Sequence, residues 1–319
     1  MATTARSCKG KKAPLRYKPG GEDAELLVHL QTLRWPQGFV CPKCRLESSA
    51  VSSNGGGQQT LPTSEPKPIQ FAQLKRAHGR IICPVCHAHI SMTSCTRLDG
   101  ARAPLPQVYR AAGRYLRDLE GVATSTLMAE AGLGNHLTAR RLIELFNTAA
   151  APEQADLPRG NIVVEEFPLN VRTLRKIKNT RIIVVWEKRN NGQLGRLNLV
   201  FAYGASDVYW IPYSPPLAHE PVEIDCQKGD LEKLLRSNGL SPAKLHSKSV
   251  SPSRDCAIVY GHVEAMLHKT YQGALGLASV QSMLNGFSFR WNNRERDDHG
   301  LANLMTRLLS VPTVRSAES

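Results

Sequence analysis

The spacing of apolar and polar residues divides the chain into a helical first half and a strand-rich second half. Leu26, Leu27, Leu30 and Leu33 recur at helical spacing, which predicts a helix over 25–35 that Pro36 and Gly38 end. Residues 104–120 (PLPQVYRAAGRYLRDLE) predict a second helix, opened by prolines and closed at Gly121. Two shorter helices follow over 124–131 and 136–147, broken at Gly132, Leu133, Gly134 and Asn135. Past a linker-like stretch at 149–159 the pattern changes. Short β-rich runs at 161–167, 181–186 and 197–203 predict three strands, and 222–225 a fourth. A helix over 230–236 and helical segments across roughly 256–290 complete the series. Three strands, a connection, a further strand and then helices predict an α/β domain.

The two short helices around a glycine-containing turn have helix-turn-helix proportions. The second would present Arg140 and Arg141 on one side and Leu142, Leu145 and Phe146 on the other. An ordinary helical hairpin with solvated arginines gives the same pattern, so charge and cysteines must help decide.

Four cysteines form two Cys-Pro-x-Cys knuckles, Cys41 with Cys44 and Cys83 with Cys86. Each knuckle aims two thiolates at one point, and two knuckles complete a tetrahedral zinc site. Structural zinc bound by Cys41, Cys44, Cys83 and Cys86 is therefore expected. His87 and His89 are expected on the surface, since four thiolates already close the shell. Residues 50–68 (AVSSNGGGQQTLPTSEPKP) form a Gly/Ser/Pro-rich insertion outside both knuckles, so its length need not disturb the ligands. Cys8, Cys95, Cys226 and Cys256 are read as free thiols of a protein in a reducing cytoplasm.

Lys and Arg number 41 against 27 Asp and Glu, so the formal net charge is +14. Such a field favours polyanions, double-stranded DNA among them. The first twenty residues carry Lys9, Lys11, Lys12, Arg16 and Lys18 and no acid, which makes Lys11 and Lys12 candidate phosphate contacts. No run of eighteen apolar residues occurs, so no membrane partner is expected, and residues 1–18 lack the apolar core of a secretory signal.

Residues 33–44 (LRWPQGFVCPKC), 82–86 (ICPVC), 121–127 (GVATSTL) and 287–294 (FSFRWNNR) stand in the order of blocks found in one group of bacterial insertion-sequence transposases. The chain resembles that group, which carries an N-terminal zinc ribbon before a DDE-type catalytic domain and is related to the Merlin elements of eukaryotes. The resemblance implies a ribonuclease-H-like core, in which carboxylates from two strands and a helix hold two divalent ions, Mg²⁺ or Mn²⁺. In-line attack on a phosphodiester needs both the attacking and the leaving oxygen stabilised, and hard cations take oxygen ligands. By the same resemblance Glu165, within Val163-Val164-Glu165-Glu166, stands where the family has its first aspartate. Asp225, before Gly229 and a helix, fits the second acid. Glu264 and Asp255 remain alternatives for the third, because the family's Asn-x-x-Glu signature is missing.

The expected organisation is a basic tail at 1–24, a zinc ribbon at 25–100 with an insertion at 50–68, and a helix-turn-helix-like region at 101–150. A linker at 151–159, a ribonuclease-H-like transposase domain at 160–312 and a tail at 313–319 complete it. The functional expectation is a cytoplasmic, nucleoid-associated transposase that binds element-end DNA as a homo-oligomer and cuts and joins strands with divalent metal. Two alternatives stay open: a catalytically weakened or domesticated relative acting as a DNA-binding regulator, and a zinc-ribbon protein of transcription or RNA processing.

Overall fold

The computed structural model describes residues 21–43, 75–77, 80–83, 86–169, 180–188, 194–202, 224–227, 230–237, 244–246, 253–295 and 297–310. The expected basic tail up to residue 20 and the insertion at 50–68 lie outside the described residues. The chain divides into two compact units, 1–109 with 305–319, and 110–304. None of the described helices is long and apolar enough to cross a membrane.

In the first unit, helix α1 (Gly21–Arg34) precedes three short strands, β1 (Lys75–Ala77), β2 (Arg80–Ile82) and β3 (His89–Ser91). They form an antiparallel sheet in the order β1-β2-β3, with Ile81 opposite Ile90. Leu30, Phe39, Ile81, Ile90, Met92 and Leu98 are buried. The residues between helix and knuckle explain how α1 is held. Arg34 donates to the carbonyls of Ser91 at 2.8 Å and Ser94 at 2.6 Å, and its guanidinium lies 4.2 Å from the Trp35 ring centroid. Trp35 in turn meets Phe39 edge-on at 4.9 Å. Burial lowers the Arg34 pKa to about 10, against an opposing pull from Asp99, so the side chain stays charged near neutral pH.

Helix α2 (Leu105–Arg117) leads into the second unit, where α3 (Thr124–Ala131) and α4 (His136–Ala149) make the helix pair. Gly132, at φ 65°, ends α3 in the left-handed conformation, and Leu133 N–H then reaches the Met128 carbonyl at 2.9 Å. Asn135 caps α4 by accepting from Thr138 N–H at 2.8 Å.

The sheet of this unit comprises β4 (Ile162–Pro168), β5 (Arg181–Lys188), β6 (Leu194–Ala202), β7 (Ile224–Gln227) and β8 (Lys244–His246). Its order is β6-β5-β4-β7-β8. The pairs β4–β5 and β5–β6 are antiparallel, whereas β4–β7 and β7–β8 are parallel. Helices α5 (Asp230–Ser237), α6 (Arg254–Tyr271), α7 (Leu277–Asn293) and α8 (Asp297–Leu309) complete the described elements. Period-two alternation along β4 serves two faces. Ile162 and Val164 join Ile183, Val185, Leu231 and Leu235 in one core, while Phe167 joins Ile182, Val184, Trp186 and the buried residues of α6 and α7 in the other.

Helix α7 covers the outer edge of β6 by hydrogen bonding. Phe201 N–H donates to Gln281 Oε1 at 2.8 Å, Leu199 N–H to Ser288 Oγ at 3.2 Å, and Leu197 N–H to Asn292 Oδ1 at 2.8 Å. Main-chain groups that a neighbouring strand would otherwise satisfy are thus taken by one helix face. Behind α7, the buried Arg290 lies 4.5 Å over the Tyr115 ring, and Tyr115 donates its hydroxyl to Asn147 at 2.7 Å. Asn147 donates onward to the Tyr271 hydroxyl at 2.6 Å, so α2, α4, α6 and α7 share one polar cluster.

Candidate functional site

Three of the four expected zinc ligands are described, and they come together. The Sγ atoms of Cys41, Cys83 and Cys86 all lie within 4.8 Å of one another, Cys41 and Cys83 buried and Cys86 half-buried. Cys44 lies outside the described residues. The turn after Cys83 shows how a knuckle forms: His87 N–H donates to the Cys83 carbonyl at 2.9 Å, and Cys83 N–H to the Ala88 carbonyl at 3.0 Å. His87 accommodates this tight turn at φ 56°, a left-handed conformation that non-glycine residues seldom take. Cys41 Sγ and Cys86 Sγ are 3.7 Å apart. Two sulfurs on a tetrahedral ion with Zn–S bonds near 2.3 Å are separated by about 3.8 Å, so the thiols have the spacing zinc requires. The donor set fits a structural zinc ion. His87 and His89 are exposed and stand outside the group.

The free-thiol reading of the remaining cysteines is corrected in one place. Cys95 is disulfide-bonded. Cys256 is a free, buried thiol, as expected. Cys8 and the Cys226 side chain lie outside what is described.

Helix α4 turns a polar face outward. His136, Leu137, Arg140, Arg141, Glu144 and Thr148 line it, while Ala139, Leu142, Ile143 and Phe146 are buried. Arg140 pairs with Glu144 at 3.3 Å, one turn along the same face. Leu137 is 55 % exposed beside these arginines, an apolar residue that the amphipathic pattern alone does not single out. Lys11 and Lys12 lie outside the described residues.

The candidate acids are held by β4, β7 and α6. Glu165 is only 7 % exposed, unlike a solvated glutamate at a strand end. Its Oε2 accepts from Ser253 Oγ at 2.6 Å and its Oε1 from Ser253 N–H at 3.2 Å. The neighbouring Glu166 pairs with Arg181 at 3.5 Å. Asp225 lies in backbone register with Val163, two residues before Glu165 on the neighbouring strand. Strand rise and spacing then set the Cα atoms of Asp225 and Glu165 about 8 Å apart; the Asp225 side chain is outside what is described.

Helix α6 carries both candidates for the third acid, at different depths. Asp255 sits in the first turn, next but one to Ser253. Glu264 accepts from Tyr260 Oη at 2.7 Å, and the Tyr260 ring meets Phe167 at 4.9 Å. A rise of 1.5 Å per residue sets Glu264 about 13 Å beyond Asp255 along the axis, about half a turn from its face. Among the described residues no three acids gather within metal-ligand reach of one another; Cys41, Cys83 and Cys86 are the group that does. The described carboxylates therefore do not by themselves fit a pair of divalent ions.

Residues 21–58 match the family model of the transposase zinc-ribbon domain, of the IS1595 family. The match contains α1, the Arg34–Trp35–Phe39 contacts and the first knuckle, and ends before the second. The match supports a protein of transposase type, and a DNA-binding role accords with it. No curated protein matches the chain.

Proposed function

We propose that this is a transposase-type protein that binds double-stranded DNA through its zinc ribbon and the α3–α4 helix pair, acting as a homo-oligomer on element ends. The observation that carries this reading is the ribbon itself. Its sequence is similar to transposase ribbons, and its cysteine sulfurs have zinc spacing. The exposed arginines of α4 and the net charge of +14 support a phosphate-rich partner. The pair α3–α4 is read as a helix-turn-helix, with Arg140 and Arg141 near the duplex and the basic tail of Lys11 and Lys12 adding phosphate contacts. Such a protein works in the bacterial cytoplasm, on the nucleoid. The ribbon match weighs against the transcription or RNA-processing alternative.

The mixed five-stranded sheet, flanked by helices, supports reading residues 160–312 as a ribonuclease-H-like domain of the DDE type, akin to the Merlin group. On a second reading that domain cuts and joins strands with Mg²⁺ or Mn²⁺, using Glu165, Asp225 and either Asp255 or Glu264. The register of Val163 with Asp225 favours it, since it draws two of these acids to adjacent strands. Of the helical candidates, Asp255 is the better, lying in the turn of α6 that meets Glu165.

The test uses DNA flanking the gene. A transposase-type protein should bind a duplex carrying any terminal inverted repeats found there in preference to a scrambled duplex of equal length. Equal affinity for both would remove the element-end assignment. Cleavage of the flanking DNA that requires divalent metal and disappears in Asp225→Asn would establish the second reading.

A further inference from the structure

The carboxylate that the strand-cutting reading needs first is already engaged by its own protein. Ser253 is the N-cap of α6: its hydroxyl accepts from Cys256 N–H at 3.2 Å and donates to Glu165 Oε2 at 2.6 Å. Ser253 N–H reaches Glu165 Oε1 at 3.2 Å. Two donors from the N-cap of one helix thus converge on one buried side chain. A carboxylate offers about four acceptor positions. It also lies at the positive end of an 18-residue helix, where negative charge is stabilised.

We propose that Glu165 is an acceptor that clamps the N-terminus of α6 to β4, and that this role has replaced divalent-metal binding at this position. A metal ligated by Glu165 would have to share a carboxylate whose orientation both hydrogen bonds from Ser253 already fix. Turning the carboxylate toward a metal would leave a buried main-chain N–H or a hydroxyl unpaired, which folded proteins rarely tolerate. Side-chain length explains the residue. An aspartate at 165 would end about 1.5 Å short, one C–C bond, and would not span the gap to Ser253 in the same way. The glutamate that departs from the family pattern is therefore the residue this contact requires. The consequence is a transposase-type chain whose sheet domain serves as a scaffold for DNA binding, without a working first acid.

This inference rests on the transposase-type reading, and its test separates the two. Full-length, zinc-loaded wild type, Glu165→Gln, Ser253→Ala and the double variant are compared by thermal unfolding and by Mn²⁺ titration followed by electron paramagnetic resonance. Each single substitution should lower Tm by about 2–4 °C, the scale of losing one helix cap in a domain of this size. The double variant should fall no further than the weaker single variant, because both changes remove the same contact. In excess Mn²⁺ the wild type should give no more bound signal than Asp225→Asn. Additive Tm losses would overturn the clamp, and so would a bound Mn²⁺ in wild type that Glu165→Gln abolishes. The wild-type titration requires no variant to fold. Duplex binding measured on the same samples reports on the transposase-type reading alone: its absence would remove that reading and leave the contact between Glu165 and Ser253 in place.

Discussion

Asn292 grips Leu197 from both sides of one peptide edge: Leu197 N–H donates to Asn292 Oδ1 at 2.8 Å, and Asn292 Nδ2 donates to the Leu197 carbonyl at 2.9 Å. A side-chain amide here does what a neighbouring strand would do for β6. Asn292→Leu should therefore cost roughly 1–3 kcal/mol for each main-chain group left without a partner. It should also favour association through the uncovered edge. Denaturant melts and light scattering check both effects, and an unchanged midpoint would show that water replaces the amide without cost.

The polar cluster under α7 has no room for a further carbon. A Cβ at Gly286 would sit 2.0 Å from Asn147 Oδ1 and 2.3 Å from Tyr115 Oη. Gly286→Ala should push α4 away from α7 and lower stability by about 1–3 kcal/mol, the usual scale of overpacking. The measurement is a Tm comparison with Gly261→Ala, where nothing lies within 4 Å of the added carbon and the change should be small.

Two tyrosines of that cluster make stability fall at high pH. Burial raises the pKa of Tyr115, opposed by Arg290, and raises that of Tyr271 to about 12, with Tyr115 adding to the effect. In the unfolded chain both ionise near 10.0. The folded state then holds more protons, so its advantage is full below pH 10 and is lost as pH rises from 10 towards 12. Urea midpoints measured across that window should decline, and the decline should shrink in Tyr271→Phe.

Much of this organisation is legible from spacing alone. The helix pair and the strands β4, β5 and β6 follow their apolar periods to within a few residues, because each buries a face that the pattern must encode. The three-residue strands β1, β2, β3 and β8 are too short to show a period. Helix α8 follows the last recognised block and carries no motif that marks it. At the candidate site, the convergence of Cys41, Cys83 and Cys86 can be read from knuckle spacing. The link from Glu165 to Ser253 spans 88 positions and leaves no local mark. The residues of the FSFRWNNR block are legible as a motif, but their work is not: Ser288 and Asn292 hold the β6 edge, and Arg290 is buried over Tyr115. Cys95 shows the opposite failure, since a lone cysteine in sequence gives no sign that it is disulfide-bonded.

Zinc should be structural. Cys41→Ser with Cys83→Ser removes two of three gathered thiols and should abolish zinc binding, worth roughly 10–16 kcal/mol in small zinc modules. Metal analysis of the purified protein is the check, with proteolysis between residues 21 and 100 as a second readout. Undiminished zinc would move the metal elsewhere.

Arg140 and Arg141 are proposed to bind duplex DNA electrostatically. The most direct measurement is the affinity of the full-length, zinc-loaded protein for duplex DNA across a range of salt concentrations, repeated with Arg140→Ala and Arg141→Ala together. Wild-type affinity should fall steeply with salt, and the log–log slope should shrink by up to about 2 in the double variant, roughly 0.9 for each phosphate no longer neutralised. No binding by wild type even at low salt would rule out duplex DNA as the partner of these arginines.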